Sequence, residues 1–275
     1  MPALTAPDGT QLFYEVFEPA ASPRAAILFI HGWSDHGGRW TGAAQRFQDE
    51  GFAVYLLDQR GHGRSEGRRG HLSRFSQLLG DLQAFRRAVR KRQRDLPHIL
   101  FGHSFGGLIA LRYMETQPSD PVVAAVVSSP WLSLAMAPPV WKLVFGRLLA
   151  DLWPTLAIRS RIDAGSISRD EAVNAAYAAD PAVHDVMTPG AWREIQWAQS
   201  AVVADGERIE SPVLFLLGGE DRLVDSQASR AFAARLDAPA EVRWYPEMFH
   251  EILHDPQAEQ VFADILAFMA SKGGV

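Results

Sequence analysis

The chain contains no cysteine. Disulfides, cysteine-ligated zinc, iron–sulfur clusters and a cysteine nucleophile are therefore excluded. Long apolar runs are missing as well. The most apolar stretches, 25–30, 122–127 and 213–217, fall far short of the ~20 residues a membrane span needs. The opening MPALTAPDGTQLFYEV has neither a basic segment nor an apolar one behind it, so no secretory signal is expected and the chain reads as cytoplasmic. Positive charge is not in excess. Against 27 Lys and Arg stand 32 Asp and Glu, a net charge of −5, which argues against nucleic acid as a partner. Internal repeats and low-complexity tracts are absent. What is present is ordinary for a globular protein: 47% hydrophobic and 21% charged residues. The 275 residues are about 1.8 times a 150-residue domain, which leaves one domain or two open.

The apolar pattern alternates in type along the chain. Residues 10–17 (TQLFYEVF) suggest a strand opening with a hairpin. The runs 25–30 (AAILFI) and 52–57 (FAVYLL) read as strands buried on both faces. A helix is expected over 40–50, stopped by Gly51, and another over 75–94, where Phe75, Leu78, Leu79, Leu82, Phe85 and Val89 recur at helical spacing. The opposite face of that helix carries Arg86, Arg87, Arg90, Lys91, Arg92 and Arg94 and is expected to be solvated. Strands at 98–102, 122–128, 211–217 and 241–245 alternate with helices at 106–117, 226–236 and 258–271. Such alternation implies crossover units and a mostly parallel sheet flanked by helices. The pattern breaks only over residues 131–205, where no convincing strand is found. Five of the eight tryptophans fall there: Trp131, Trp141, Trp153, Trp192 and Trp197.

The sharpest motif is Gly102-His103-Ser104-Phe105-Gly106. It fits G-x-S-x-G between a strand and a helix, the context in which a serine is presented as a nucleophile on a tight turn. The glycines let strand and helix approach, and the Phe105 backbone N–H, at the helix start, points toward a developing oxyanion. A serine hydroxyl needs a base, and the base needs a group that fixes its tautomer. In this kind of sheet the order is Ser, then Asp or Glu, then His. Asp221, just past the strand 211–217, is favoured as the acid over Glu220 and Asp225, the last being placed to cap the next helix. His250, in the loop after the last strand, is favoured as the base over His184 and His254. The remaining histidines, His31, His36, His62, His71, His98 and His103, are expected to be hydrogen-bonding groups of loops. No H-E-x-x-H or comparable cluster calls for a metal, and no cofactor motif stands out. The glycine-rich stretch 58–67 (DQRGHGRSEG) reads as a structural turn network, because no helix N-terminus follows it closely.

These residues resemble the α/β-hydrolase fold and, within it, the monoacylglycerol lipase and lysophospholipase group of serine hydrolases. The likeness rests on HGWSDHGGRW (31–40), DQRGHGRSEGRRGH (58–71), GHSFGG (102–107), ISRDEAVNAAYAADPAVH (167–184), GGEDRLVD (218–225) and FHEILHDP (249–256). It implies Ser104 as nucleophile, Asp221 as acid, His250 as base, and the Trp33 and Phe105 backbone N–H groups as the oxyanion hole. It further implies a core of residues 1–130 and 206–275 with 131–205 inserted as a helical cap over an acyl pocket. Trp33 stands where this group often carries a small residue, which implies a narrower pocket beside the nucleophile.

Within 140–153 (VWKLVFGRLLADLW), apolar residues cover a wider arc than docking requires. Trp141, Phe145 and Leu148, with Trp33 and Trp131, are candidates for lining the pocket, and the same arc could meet a membrane surface transiently. The expected activity is ester hydrolysis through an acyl-enzyme on monoacylglycerols, lysophospholipids or similar acyl esters. An aminopeptidase of the proline iminopeptidase kind, a thioesterase or an acyltransferase uses the same triad and is the alternative. The aminopeptidase would need cap carboxylates to hold the substrate amine, for which Asp163, Asp170, Glu171, Asp180, Asp185 and Glu194 are available. Sequence alone does not give the oligomeric state.

Overall fold

A computed structural model describes residues 2–272. The chain opens with β1 (Ala3–Thr5) and β2 (Gln11–Phe17), paired antiparallel across a turn at Gly9. Then come β3 (Ala26–Ile30), α1 (Thr41–Asp49), β4 (Ala53–Leu57), α2 (Phe75–Arg92), β5 (His98–His103), α3 (Phe105–Thr116) and β6 (Ala124–Ser128). The segment 131–205 holds α4 (Val140–Leu152), β7 (Ile158–Arg159), α5 (Glu171–Ala179), β8 (Val186–Met187) and α6 (Pro189–Asp205). The chain closes with β9 (Val213–Gly218), α7 (Ser226–Ala233), β10 (Ala240–Tyr245) and α8 (Ala258–Ser271).

Eight strands form one sheet in the order β1-β2-β4-β3-β5-β6-β9-β10. From β4 to β10 every neighbouring pair is parallel. Helix crossovers cover both faces, so these strands are continuously apolar rather than alternating. Successive residues still go to opposite sides. Ile27 and Phe29 pack with Phe47 of α1 and Phe262 of α8, whereas Leu28 and Ile30 pack with Phe85 of α2 and Leu108 of α3. Trp40 and Phe101, both fully buried, anchor the first layer.

Two expectations need correction here. The basic side of α2 is not uniformly solvated. Arg86 is fully buried and donates to the carbonyls of Asp120 and Pro121 and to the Tyr113 hydroxyl. Hydrophobic spacing marks which positions face inward but is blind to an arginine whose guanidinium satisfies carbonyls at a loop. The segment 131–205 also does contain strand pairing. β7 and β8 pair antiparallel, at Ile158 with Met187 and Arg159 with Val186. Two residues per strand are too few to show a period. The segment contributes no strand to the main sheet. The glycine-rich stretch is held by Asp58, whose carboxylate accepts from the Gly37 and Arg64 N–H groups at 2.7 and 2.8 Å. Gly63, at φ +50°, lies so close that a Cβ would collide with that carboxylate. Among the described residues no helix is long and apolar enough to cross a membrane.

Candidate active site

Ser104 joins the end of β5 to the start of α3 and sits at φ +53°, ψ −113°. A non-glycine residue adopts such a conformation only when its surroundings enforce it. Here they do. Its N–H donates to Ser128 O at 2.9 Å, and its carbonyl accepts from the N–H groups of Gly107 and Trp131, each at 3.0 Å. A Cβ on Gly106 would run into the carbonyls of Ile30 and His31, and one on Gly102 into the backbone of Gly106. Both neighbours of the turn are therefore glycine for steric reasons.

The turn after β9 places Asp221 in the interior. Its Oδ1 accepts from the N–H groups of Leu223 and Val224 at 2.8 and 3.0 Å. Its Oδ2 accepts from His250 Nδ1 at 2.8 Å. Burial alone would push this carboxyl up, but the His250 ring and the two backbone donors outweigh it and hold it below the usual carboxylate range. His250 is buried in the loop after β10, and its carbonyl accepts from Ser129 Oγ at 2.8 Å. Burial would lower its pKa, and Asp221 overcomes that and raises it above 6.5. Ser104 and His250 line one cavity without a direct hydrogen bond between them. The rivals lie elsewhere. Asp225 caps α7 by accepting from Ala228 N–H, His254 donates to Glu251, and His184 packs beside Trp33 and His62.

The loop after β3 approaches the serine closely. A Cβ on Gly32 would stand 3.3 Å from Ser104 Cβ and 3.8 Å from its Oγ. Next to it, the Trp33 ring is wedged edge-on against Phe105, His62 and His184. Phe105 N–H opens α3 directly after the serine.

Sequence reasoning missed a charged network behind His250. Arg39 binds Glu251 with both arms, each at 2.7 Å, and Asp35 at 3.0 Å. Trp40 Nε1–H donates to Asp35 at 2.7 Å, and His254 Nδ1–H donates to Glu251 at 2.7 Å. The Arg39 guanidinium lies 4.7 Å from the Tyr177 ring centroid. The network joins two short stretches, Asp35–Trp40 and Glu251–His254, that lie more than 200 residues apart, and no spacing signal links them. The only available hint was that Glu251 adjoins His250. His103 is hydrogen-bonded as expected, Nδ1 to Ser128 Oγ at 3.4 Å, but it ends β5 and does not lie in a loop; its ring meets that of His250 at 4.8 Å between centroids, and burial pushes its pKa down to about 3. His98 corrects the loop expectation differently: it lies in β5, and neither ring nitrogen has a hydrogen-bond partner.

The cavity measures about 460 Å³, within the range of sites for small ligands. Gly32, Trp33, Ser104 and His250 line it from the core side, together with Asp35 and Glu251. Trp131, Leu143, Ile162, Met187 and Trp192 supply apolar walls. Of the five side chains expected to line a pocket, Trp33 and Trp131 do so. Trp141, Phe145 and Leu148 do not: they are 65%, 54% and 51% exposed, and α4 turns Leu143 and Gly146 inward instead. The arc of α4 is wider than its contact, and sequence cannot tell which part of it docks. Among the described residues no cluster of three His, Asp or Glu is arranged to hold a metal ion.

The sequence profile of the family described as serine aminopeptidase, S33 (Hydrolase_4), matches residues 21–257. A monoacylglycerol lipase of Mycolicibacterium smegmatis is 32% identical over 265 residues, covering 96% of this chain and 94% of the relative. The phospholipase YtpA of Bacillus subtilis is 28% identical, covering 90% and 96%. Among solved structures, the monoacylglycerol lipase of Paleococcus ferrophilus superposes with a TM-score of 0.85 at 28% identity, covering 95% of this chain and 99% of that one.

Proposed function

The chain belongs to the serine aminopeptidase S33 family of α/β hydrolases and is an ester-cleaving serine hydrolase, a premise from which we propose that Ser104, Asp221 and His250 carry the reaction and that monoacylglycerols are its substrates. In this reading Ser104 Oγ attacks the ester carbonyl and gives its proton to His250 Nε2. Asp221 holds the tautomer by accepting from Nδ1. The Trp33 and Phe105 N–H groups receive the oxyanion. The protonated His250 gives its proton to the departing alcohol. Water, deprotonated by the same ring, then releases the fatty acid from Ser104.

The observation that carries the substrate class is the division of the cavity. Its apolar walls suit an acyl chain, and the Glu251 carboxylate, which accepts two bonds from Arg39 and one from His254, keeps one lone pair for a hydroxyl of a glycerol group. Relatives named monoacylglycerol lipase, phospholipase and monoglyceride lipase agree with an acylglycerol or closely related lipid ester. Despite the family's description, the cavity does not favour an aminopeptidase. The cavity's carboxylates, Asp35 and Glu251, are both bonded to Arg39, and Lys142 and Arg159 would repel an ammonium. Asp163, Asp170 and Asp180 of the inserted segment are committed to a helix cap, a second helix cap and His36. We further propose that residues 131–205 form a cap over the cavity, and that the exposed face of α4 rests on lipid while substrate enters.

The test is turnover of 1-acylglycerols, lysophosphatidylcholine, p-nitrophenyl esters and proline p-nitroanilide, with fluorophosphonate labelling alongside. We expect monoacylglycerol to be preferred, the anilide to be inert, and Ser104→Ala to abolish labelling. Full labelling of Ser104→Ala would refute the nucleophile assignment, and faster anilide than ester turnover would refute the substrate class.

A further inference from the structure

The loop that carries His250 is irregular between the end of β10 and the start of α8, apart from a 3-10 turn at Ile252–His254. Up to His250 it is held from the sheet: Met248 N–H donates to Tyr245 O, Glu220 N–H to Met248 O at 3.1 Å, and Ser129 Oγ–H to His250 O at 2.8 Å. Past His250, Arg39 of the loop after β3 holds the Glu251 carboxylate, and the remaining fixation comes from residues 167–169, which belong to the inserted segment. Glu251 N–H donates to Ile167 O at 2.8 Å. Ser168 Oγ–H donates to His254 O at 2.9 Å. Arg169 grips Asp255 with two arms, at 2.8 and 2.6 Å, and reaches Glu247 at 3.1 Å and Gln257 at 3.2 Å. Residues 247 and 255 bracket His250, so one arginine spans both ends of the base loop. The seat is rigid on its other side as well, since Ser168 N–H donates to Asn174 Oδ1 and Asn174 Nδ2 donates to Ser168 O, anchoring it to α5.

We propose that Ser168 and Arg169 are positioning residues for His250, holding its loop so that the ring meets Asp221 and faces Ser104 only while the inserted segment is seated. Neither side chain lines the cavity, so their influence passes through the loop and not through substrate. A bidentate arginine–carboxylate pair fixes both distance and orientation, which a single ammonium contact does not. The inference rests on the catalytic reading given above. It adds that the base is assembled by the same segment that roofs the cavity. Displacement of residues 167–169 therefore switches off proton transfer as well as opening the site.

The experiment compares wild type, Arg169→Ala, Arg169→Lys and Ser104→Ala on water-soluble p-nitrophenyl acetate across about pH 5.5–9. Misplacement of a catalytic group by ~1 Å is worth about a hundredfold in rate, so Arg169→Ala is expected to lose about tenfold or more in kcat with KM within about twofold. The acid limb of its kcat profile is expected to move to lower pH, because His250 loses part of the attraction of Asp221. Arg169→Lys, which keeps the charge without the fork, is expected to recover only part of the rate. If Arg169→Ala does not fold, Ser168→Ala is read in the same way. The proposal is overturned if the variant keeps the wild-type kcat and acid limb, or if its activity falls only with the unfolded fraction while the limb stays in place. Ser104→Ala separates the two readings. Its retained activity would sink the catalytic assignment, whereas an inactive Ser104→Ala beside an unchanged Arg169→Ala sinks only the positioning role.

Discussion

His250 is buried and yet held above its ordinary pKa, two conditions that oppose each other unless a carboxylate is in contact. Asp221 is that carboxylate, and the pair fixes a pH dependence. A base must be neutral to accept the serine proton, so kcat/KM is expected to fall as pH drops through a value above 6.5. Asp221→Asn removes the attraction and favours the wrong tautomer. Its kcat is expected to fall about 10⁴-fold, the loss typical of such triads, with the residual acid limb displaced to lower pH. A pH–rate profile of both proteins checks this, and an unmoved limb in Asp221→Asn would show that Asp221 does not set the pKa of the base. That the sheet brings Asp221 against His250 and sets both Ser104 and His250 in one cavity was legible, because each residue follows a recognisable strand and the order along the chain is constrained. Asp35, Arg39 and His103 were not, because their roles depend on which loops meet above the sheet. No local pattern encodes that meeting.

At the level of elements, most helices and strands could be read to within a residue or two, because apolar period and glycine punctuation agree there. α4 could be placed but not oriented. Its sequence is apolar nearly all round, so the docked face is chosen by contact with α6 and not by pattern. The structure leaves Val140, Trp141, Val144, Phe145, Leu148 and Leu152 exposed along it, and Trp153 follows directly. So large an exposed apolar face marks an interaction site. Burying one large apolar side chain is worth ~1.5–3 kcal/mol. Replacing Trp141 and Phe145 together by Asp is therefore expected to weaken binding to phosphatidylcholine vesicles by about a hundredfold or more. Hydrolysis of p-nitrophenyl acetate should remain within about twofold of wild type, since neither side chain lines the cavity. Co-sedimentation with vesicles measures the first quantity and a soluble-ester assay the second. Unchanged sedimentation of the double variant would remove α4 from the lipid contact.

At the scale of the whole molecule, Arg39 connects parts that the chain separates widely. Asp35 lies in the loop after β3, Glu251 in the base loop, and Tyr177 on α5 of the inserted segment, and all three touch the same guanidinium. Burial would raise both carboxyls, but Arg39 holds Asp35 below the usual range and Glu251 well below it. Arg39→Met leaves two buried carboxylates without their cation. Removing one partner of a buried pair costs about 3–5 kcal/mol, and the loss here is expected to lie in that range at neutral pH. The sign of its pH dependence follows from linkage. Groups whose folded pKa is depressed stabilise above their unfolded values, roughly 3.9 for Asp and 4.3 for Glu, and lose that stabilisation as pH falls below them. In the variant the same carboxyls, now uncompensated, are relieved by protonation. The stability gap between wild type and Arg39→Met should therefore be widest near pH 7 and shrink toward pH 4, as urea unfolding at the two values would measure. A gap independent of pH would mean that Arg39 stabilises by packing against Tyr177 and not by charge.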